Sequence, residues 1–331
     1  MTIPNTYVNG TVIDADEHNE NINYVNPVWD IEFVNASTFS GIIAHSTTNY
    51  SLTNAGGGTI YLWDGSTFTS KNSTPNQAGI LRLCKDDDAK GFFVELVATG
   101  ETSYGTGDGT SWAVTANVGH SITVNDMSFP TANLIVIGGD DGGGDFIQTS
   151  VDQGANWVDA TTSPAAAVEI LDMFDGTTGY CIDASDNIWK TTDSGDTWVD
   201  TTDNISNSHA SGTMFCLTAD IVLICSEGYV HHYTNSTNTL TTKFYDPGQP
   251  YPSNFVNTNG YIYLLIRTSS GGDPQKLLIS SDSGVTWTEQ PASRSAGGTS
   301  DYYKSMLAAY DTGKIMFVNT GQIYKQDRSN L

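Results

Sequence analysis

The 331-residue chain predicts an all-β fold, a seven-bladed β-propeller, on three observations. An eight-residue pattern of a hydroxyl residue, Asp, Gly and Trp occurs three times. Large apolar anchors recur 41 to 47 residues apart along the chain. Short apolar strands bounded by Gly, Asn and Asp fill each period. A repeat of about 40 to 50 residues holding several short strands is the pattern of a propeller blade.

The three octets are Ser150-Val-Asp-Gln-Gly-Ala-Asn-Trp157, Thr191-Thr-Asp-Ser-Gly-Asp-Thr-Trp198 and Ser280-Ser-Asp-Ser-Gly-Val-Thr-Trp287. In each, the carboxylate of Asp152, Asp193 or Asp282 is placed to accept backbone N–H groups ahead of it. Gly154, Gly195 or Gly284 supplies a positive φ. Trp157, Trp198 or Trp287 then opens the next strand and buries a large apolar area. These octets resemble the Asp-box, or BNR repeat, of sialidase-type propellers and of many propellers that are not sialidases. The resemblance implies structural turns on the rim, remote from any active site.

The spacing extends the repeat over the chain. A degenerate copy falls at Thr234–Leu240, with Asn for Asp and Leu for Trp. Stepping back from Trp157 reaches Gly107–Trp112 and Asp64–Phe68, and stepping forward from Trp287 reaches Gln326–Leu331. The anchors are therefore Phe68, Trp112, Trp157, Trp198, Leu240, Trp287 and Leu331. Upstream hairpins supply the inner strands: Ile31–Val34 with Gly41–Ala44, Met214–Thr218 with Ile221–Cys225, Phe255–Val256 with Tyr261–Ile266, and Met306–Ala309 with Lys314–Val318. Their continuous apolar runs suit strands buried on both faces. The last repeat stops at its own anchor and lacks an outer strand, which would expose an edge. A segment from before Trp29 is expected to complete it.

Composition narrows the function classes. With 13 basic against 37 acidic residues, the net charge is −24. Such a field repels nucleic acid and anionic membranes. No apolar run approaches the roughly 20 residues of a membrane-spanning helix, so neither nucleic-acid binding nor membrane insertion is expected. The opening residues carry no basic cluster followed by an apolar stretch, so no secretory leader is expected. Cys84, Cys181, Cys216 and Cys225 show no metal spacing; they are expected as buried thiols in apolar strands, with a Cys216–Cys225 bridge as the alternative.

Residues 1–27 form a separate attachment or closure segment in this reading, with the propeller body at 28–331. An extended Tyr7-Val8, a turn at Asn9-Gly10, a second extended stretch Thr11–Ile13 and a short helix capped by Asp14 follow in order. The string Val8-Asn-Gly-Thr-Val-Ile-Asp-Ala-Asp-Glu17 with its Asn-rich continuation resembles the opening of many bacteriophage tail-fibre and related virion proteins. That resemblance implies a virion structural protein at the particle surface or tail. Its partners would be other virion proteins through residues 1–27, with a host-surface glycan or protein as a further partner.

A catalytic reading needs residues that are scarce here. A sialidase-like, glycan-acting enzyme would require an arginine triad for the substrate carboxylate. The chain has four arginines, Arg82, Arg267, Arg294 and Arg328. Of these, Arg82 and Arg267 fall in inner-strand positions that could face the channel. No catalytic residue, cofactor or metal is assigned. The acidic loops Lys85–Lys90 and Gly138–Asp145 are read as solvated turns, lacking the alternating ligand spacing of a calcium loop. A cellular assembly factor is the remaining alternative, since some photosystem-assembly propellers carry similar Asp-boxes.

Overall fold

The computed structural model describes residues 6–8, 11–13, 30–34, 39–54, 59–72, 79–86, 90–95, 101–106, 111–117, 123–142, 146–205, 212–247, 251–267, 275–293, 307–311, 313–319 and 322–327. Strands β1 (Thr6–Val8) and β2 (Thr11–Ile13) pair antiparallel as a separate hairpin, with Val8 opposite Thr11. The helix expected from Asp14 lies outside the described residues.

Among the described residues the remaining strands pair into seven four-stranded antiparallel sheets. Strand β3 (Asp30–Val34) stands apart in sequence from its sheet. The first sheet holds β4 (Phe39–Ala44), β5 (Tyr50–Asn54), β6 (Ile60–Trp63) and β7 (Phe68–Asn72), and the second β8 (Gly79–Leu83), β9 (Gly91–Glu95), β10 (Glu101–Thr106) and β11 (Ser111–Asn117). The third holds β12 (Thr123–Ser128), β13 (Ile135–Asp140), β14 (Phe146–Ser150) and β15 (Val158–Asp159). The fourth holds β16 (Val168–Met173), β17 (Gly179–Asp183), β18 (Asn187–Thr191) and β19 (Val199–Asn204), and the fifth β20 (Thr213–Cys216), β21 (Ile221–Ser226), β22 (Tyr229–Thr234) and β23 (Thr239–Tyr245). The sixth holds β24 (Tyr251–Thr258), β25 (Tyr261–Arg267), β26 (Gln275–Ser280) and β27 (Thr288–Ser293). The last runs β28 (Leu307–Asp311), β29 (Lys314–Asn319), β30 (Gln322–Asp327) and then β3. First strands touch first strands around the ring, from β4 through β8, β12, β16, β20, β24 and β28 back to β4. The chain is an all-β β-propeller.

Second strands are buried on both faces, as in Ile221–Ser226, where Val222, Leu223, Ile224 and Cys225 are all buried. Side chains of such a strand alternate between the two neighbouring sheets. The apolar core is accordingly a series of layers between sheets rather than one centre. One layer joins Ile80, Phe92 and Met127 to Ile135 and Phe146, another joins Ile170 and Tyr180 to Met214 and Ile224, and a third joins Leu223 and Val230 to Leu264 and Leu278. The anchors Phe68, Trp112 and Leu240 sit at the start of fourth strands, and Trp157, Trp198 and Trp287 directly precede them. Leu331 lies outside the described residues.

Ring closure corrects two expectations. Ile31–Val34 does not form an inner hairpin with Gly41–Ala44; it lies in β3, which pairs with β30 as the fourth strand of the last sheet, Asp30 opposite Lys325 and Val34 opposite Gln322. The closing strand thus starts just after Trp29 rather than before it. An apolar run satisfies an inner or an outer strand equally well in sequence, and the non-local pairing decides. At the closure, Lys325 Nζ lies 4.6 Å from the ring centres of both Tyr50 and Tyr310, tying the first sheet to the last through a double cation–π contact.

The four cysteines are free and buried. In the hairpin register Cys216 faces Val222 and Cys225 faces Thr213, so the two thiols do not oppose each other. Burial pushes the Cys225 thiol well above its ordinary range.

Removing β3 should cost the last sheet its outer ladder. Deletion of residues 1–34 is expected to lower the melting temperature by roughly 5 °C or more relative to deletion of residues 1–20. Scanning calorimetry decides, and equal transitions would mean that β3 does not hold the ring.

Candidate functional site

Antiparallel order places the first–second connections of the sheets, and the third–fourth connections of the first six, on one end of the ring. The octets are the third–fourth connections, so they share that end with the loops after the first strands. In all three the geometry repeats. The hydroxyls of Ser150, Thr191 and Ser280 donate to Asp152, Asp193 and Asp282 Oδ1 at 2.9, 2.8 and 2.9 Å. The same hydroxyl oxygens accept the N–H of Gly154, Gly195 and Gly284 at 2.7, 3.1 and 2.8 Å. Each carboxylate also accepts the N–H four residues ahead, from Asn156, Thr197 and Thr286, at 2.8 to 2.9 Å. Trp198 and Trp287 donate Nε1–H to the carbonyls of Gly195 and Gly284 at 3.0 and 3.1 Å. Trp157 instead meets Phe92 edge-on, at 6.1 Å between ring centres.

The glycines serve two purposes. Gly154, Gly195 and Gly284 have φ of 82, 87 and 83°, in the left-handed region that disfavours a Cβ. Gly284 also lies against the preceding sheet, where an added Cβ would sit 2.5 Å from Leu223 Cδ2. Hydrogen bonds hold these carboxylates below the ordinary range. The bonds from Asn156 dominate at Asp152, and those from Thr286 bring Asp282 to about 2. At Asp193 partial desolvation opposes the bonds from Thr197 and Thr191, which outweigh it.

The degenerate copy is built differently. Asn235–Thr237 forms a short 3-10 turn, and the carboxylate comes from Asp220 in the first–second loop of the same sheet. Asp220 accepts Ser236 N–H at 2.6 Å and Ser236 Oγ–H at 2.7 Å. Sequence reading missed Asp220 because it stands 15 residues before the expected position at Asn235.

The centre of the ring holds an open cavity of about 700 Å³. Its apolar wall includes Ile42, Leu81, Met214, Phe215, Phe255 and Leu307, and its polar groups include His45, Arg82, Lys85, Asp172, Asn254 and Tyr310. The charged groups are engaged by the protein itself. Arg82 Nη2 lies 3.0 Å from Asp126 Oδ1. Lys85 Nζ donates to both oxygens of Asp172 at 2.7 Å and to the carbonyl of Met173. Asp172 further accepts Ser128 Oγ–H at 2.9 Å and Cys216 N–H at 2.9 Å. Four carboxylate contacts and three ammonium contacts leave this pair saturated.

Other sequence candidates are placed as follows. Arg267 ends β25, the second strand of the sixth sheet; Arg294 and Arg328 lie outside the described residues. In the acidic loops Asp140 accepts Gly142 N–H at 2.7 Å, and Asp86 accepts the Cys84 thiol at 2.9 Å. Among the described residues no group of three or more His, Cys, Asp and Glu is placed to hold a metal ion.

No family model and no curated protein matches the chain. Solved structures match its fold. A GH74 enzyme of Niastella koreensis superposes with a TM-score of 0.65 at 17% identity, over 92% of this chain and 54% of that one. The chain therefore spans about half the length of that enzyme. YCF48 from Cyanidioschyzon merolae superposes with a TM-score of 0.61 at 12% identity, over 92% of this chain and 99% of that one. A streptogramin B lyase gives 0.64 at 12% identity, over 90% of this chain and 96% of that one. At such identities the likeness is one of fold alone, and the same fold carries unrelated activities.

Two outcomes are expected at the octet turns. Asp193→Ala should lower stability by about 1 kcal/mol, a charge-assisted acceptor at a solvated turn, while Gly284→Ala should cost more, about 2 kcal/mol, through both its φ and its contact with Leu223. Denaturant titration of both variants measures the order, and a reversed order would count against the packing role of Gly284. For pH, a carboxylate depressed in the folded state stabilises above its unfolded value and loses that contribution as pH falls through the folded one. The wild-type melting temperature should fall between about pH 4 and pH 2, with a shallower fall in Asp282→Asn.

Proposed function

We propose that this chain is a non-catalytic, seven-bladed Asp-box propeller that serves as a structural protein of a bacteriophage particle, with residues 1–27 as its attachment segment. The observation that carries the non-catalytic reading is the saturation of the channel's charges. Lys85 and Asp172 satisfy one another and the backbone of neighbouring strands, and Arg82 is engaged by Asp126. A nucleophile or general base needs capacity for a substrate proton, and an oxyanion or carboxylate clamp needs donors aimed into the site. These groups spend theirs on holding strands together. Each blade in this reading is one of the seven four-stranded sheets, and the three octets are Asp-box turns that pin the rim.

The particle assignment rests on the string Val8–Glu17 and on the β1–β2 hairpin, which pairs within itself rather than with the ring. A three-residue hairpin is too small to be stable alone and needs a partner surface. The closing strand β3 begins 17 residues after β2 ends, at Asp30.

Two measurements test the proposal. Neither a fluorogenic sialoside nor a panel of aryl glycosides should be turned over; turnover abolished by Arg82→Ala, in a protein with unchanged melting temperature, would overturn the non-catalytic reading. Deleting residues 1–20 should leave a folded propeller that no longer co-sediments with particles, and normal incorporation of the truncated chain would overturn the attachment role.

A further inference from the structure

The fifth sheet carries a feature that its repeat does not require. At the end of each sheet opposite the octet turns, the first residue of the third strand faces the last residues of the fourth. In the fourth sheet this pair is Asn187 and Asn204, in the sixth Gln275 and Ser293, in the first Ile60 and Asn72, and in the second Glu101 and Asn117. In the fifth it is Tyr229 and Tyr245. Their rings stack with centres 4.1 Å apart and planes at 24°, and Tyr229 stacks in turn on His231 at 5.5 Å and 13°. Tyr229 and His231 are two residues apart in β22 and so share one face of the sheet.

The base of this stack is anchored and its end is open. His231 is buried and its Nδ1 lies 3.2 Å from Thr242 Oγ1. Tyr245 is 51% exposed, one of six large apolar side chains exposed among the described residues. The corresponding positions of other sheets are Asn204, Ser293, Asn72, Asn117 and Val34, so a tyrosine there is not part of the repeat. Directly beside it, Asp246 is fixed by its N–H to the carbonyl of Gly228 at 2.9 Å, and its carboxylate holds Lys276 Nζ of the sixth sheet at 2.5 Å. Lys276 also reaches Glu289 at 3.0 Å, whose side chain is 43% exposed. A rigid aromatic face therefore adjoins a strip of fixed donors and acceptors that bridges two sheets.

We propose that Tyr229, Tyr245, Asp246, Lys276 and Glu289 form a binding platform for a neutral pyranose of a glycan chain. A pyranose has one face of C–H bonds, which suits the electron-rich face of an aromatic ring, and an equatorial rim of hydroxyls that both donate and accept. Tyr245 supplies the first and the Asp246–Lys276–Glu289 strip the second. Tyrosine gives such contact area at low cost in side-chain entropy, and stacking on Tyr229 removes part of that cost in advance. The net charge of −24 disfavours sialylated, sulfated or phosphorylated chains. The platform does not depend on attachment through residues 1–27, so soluble full-length protein tests it without the particle.

The test is titration of the full-length protein with neutral hexaoses of glucose, N-acetylglucosamine, galactose and mannose, alongside 3′-sialyllactose and a proline-rich decapeptide. At least one neutral hexaose should bind, and more tightly than the sialylated sugar. Tyr245→Ala should weaken it about tenfold, the scale of one aromatic contact, while Tyr245→Phe should stay within about twofold. In the unmodified protein, saturation transfer from the Tyr245 ring to sugar C–H protons reports the same contact without a variant. Binding of none of the hexaoses, binding of the decapeptide or the sialylated sugar alone, or a bound hexaose indifferent to Tyr245→Ala would each overturn the proposal.

Discussion

The first strand of every sheet faces the central channel with one open backbone edge, and the ring depends on how those edges are satisfied. An unpaired strand edge is a template for aggregation, and buried N–H and C=O groups without partners are costly. Among the described residues no strand ladder joins one sheet to the next, although Lys85 N–H donates to the Phe129 carbonyl across the second and third sheets at 2.9 Å. Side chains supply most of the other links. Asp126 accepts Leu171 N–H at 3.2 Å, and Ser128 accepts Met173 N–H at 3.1 Å. At the equivalent place one sheet on, Asp172 accepts Cys216 N–H. Asn125 donates to the carbonyl of Val168 at 2.9 Å, and Asn254 both donates to Leu307 C=O and accepts Leu307 N–H, at 2.8 and 3.0 Å. Asn125 and Asn254 occupy bulges of β12 and β24, where an extra residue turns a side chain toward the next sheet.

This arrangement gives the channel charges a part in holding the sheets together. Carboxylates at Asp126 and Asp172 are needed as acceptors for the next strand's N–H groups, and burying them requires cations. Arg82 and Lys85 supply these from the second sheet, reaching the third and fourth respectively. An unpaired buried carboxylate would be strongly unfavourable, and the paired, hydrogen-bonded one is tolerated. The same residues that line the cavity therefore set the angular relation of adjacent sheets, and freeing them for chemistry would loosen the ring.

Away from the channel, apolar layers take over. The octet glycines let one sheet's turn settle on its predecessor, Gly195 against Val136 and Thr149 and Gly284 against Leu223. The turns are solvated on one side and packed on the other, which is why a short polar motif has an architectural role. The far end of the sheets lacks that constraint. Strand ends there range from Asn and Gln to Val and Tyr, so the Tyr229–Tyr245 stack is not part of the repeat.

The all-β class, the repeat and the octet turns were legible in the sequence because they are local. Period, strand length and the Asp-to-Gly-to-Trp spacing all act within one repeat, and hydroxyl, carboxylate and glycine recur at fixed offsets. Three things were decided only by the tertiary structure. Ile31–Val34 became the outer strand of the last sheet, since an apolar pentapeptide carries no mark of which distant edge it will pair with. Asp220 replaced the carboxylate missing at Asn235, because a loop from the neighbouring hairpin lies within reach in space. Arg82 and Lys85, conspicuous as scarce cations in an acidic chain, proved to be partners of Asp126 and Asp172, 44 and 87 residues away. Local hydrogen bonding and periodicity write themselves into neighbouring residues, whereas charge compensation and edge pairing join residues whose separation is set only when the ring closes.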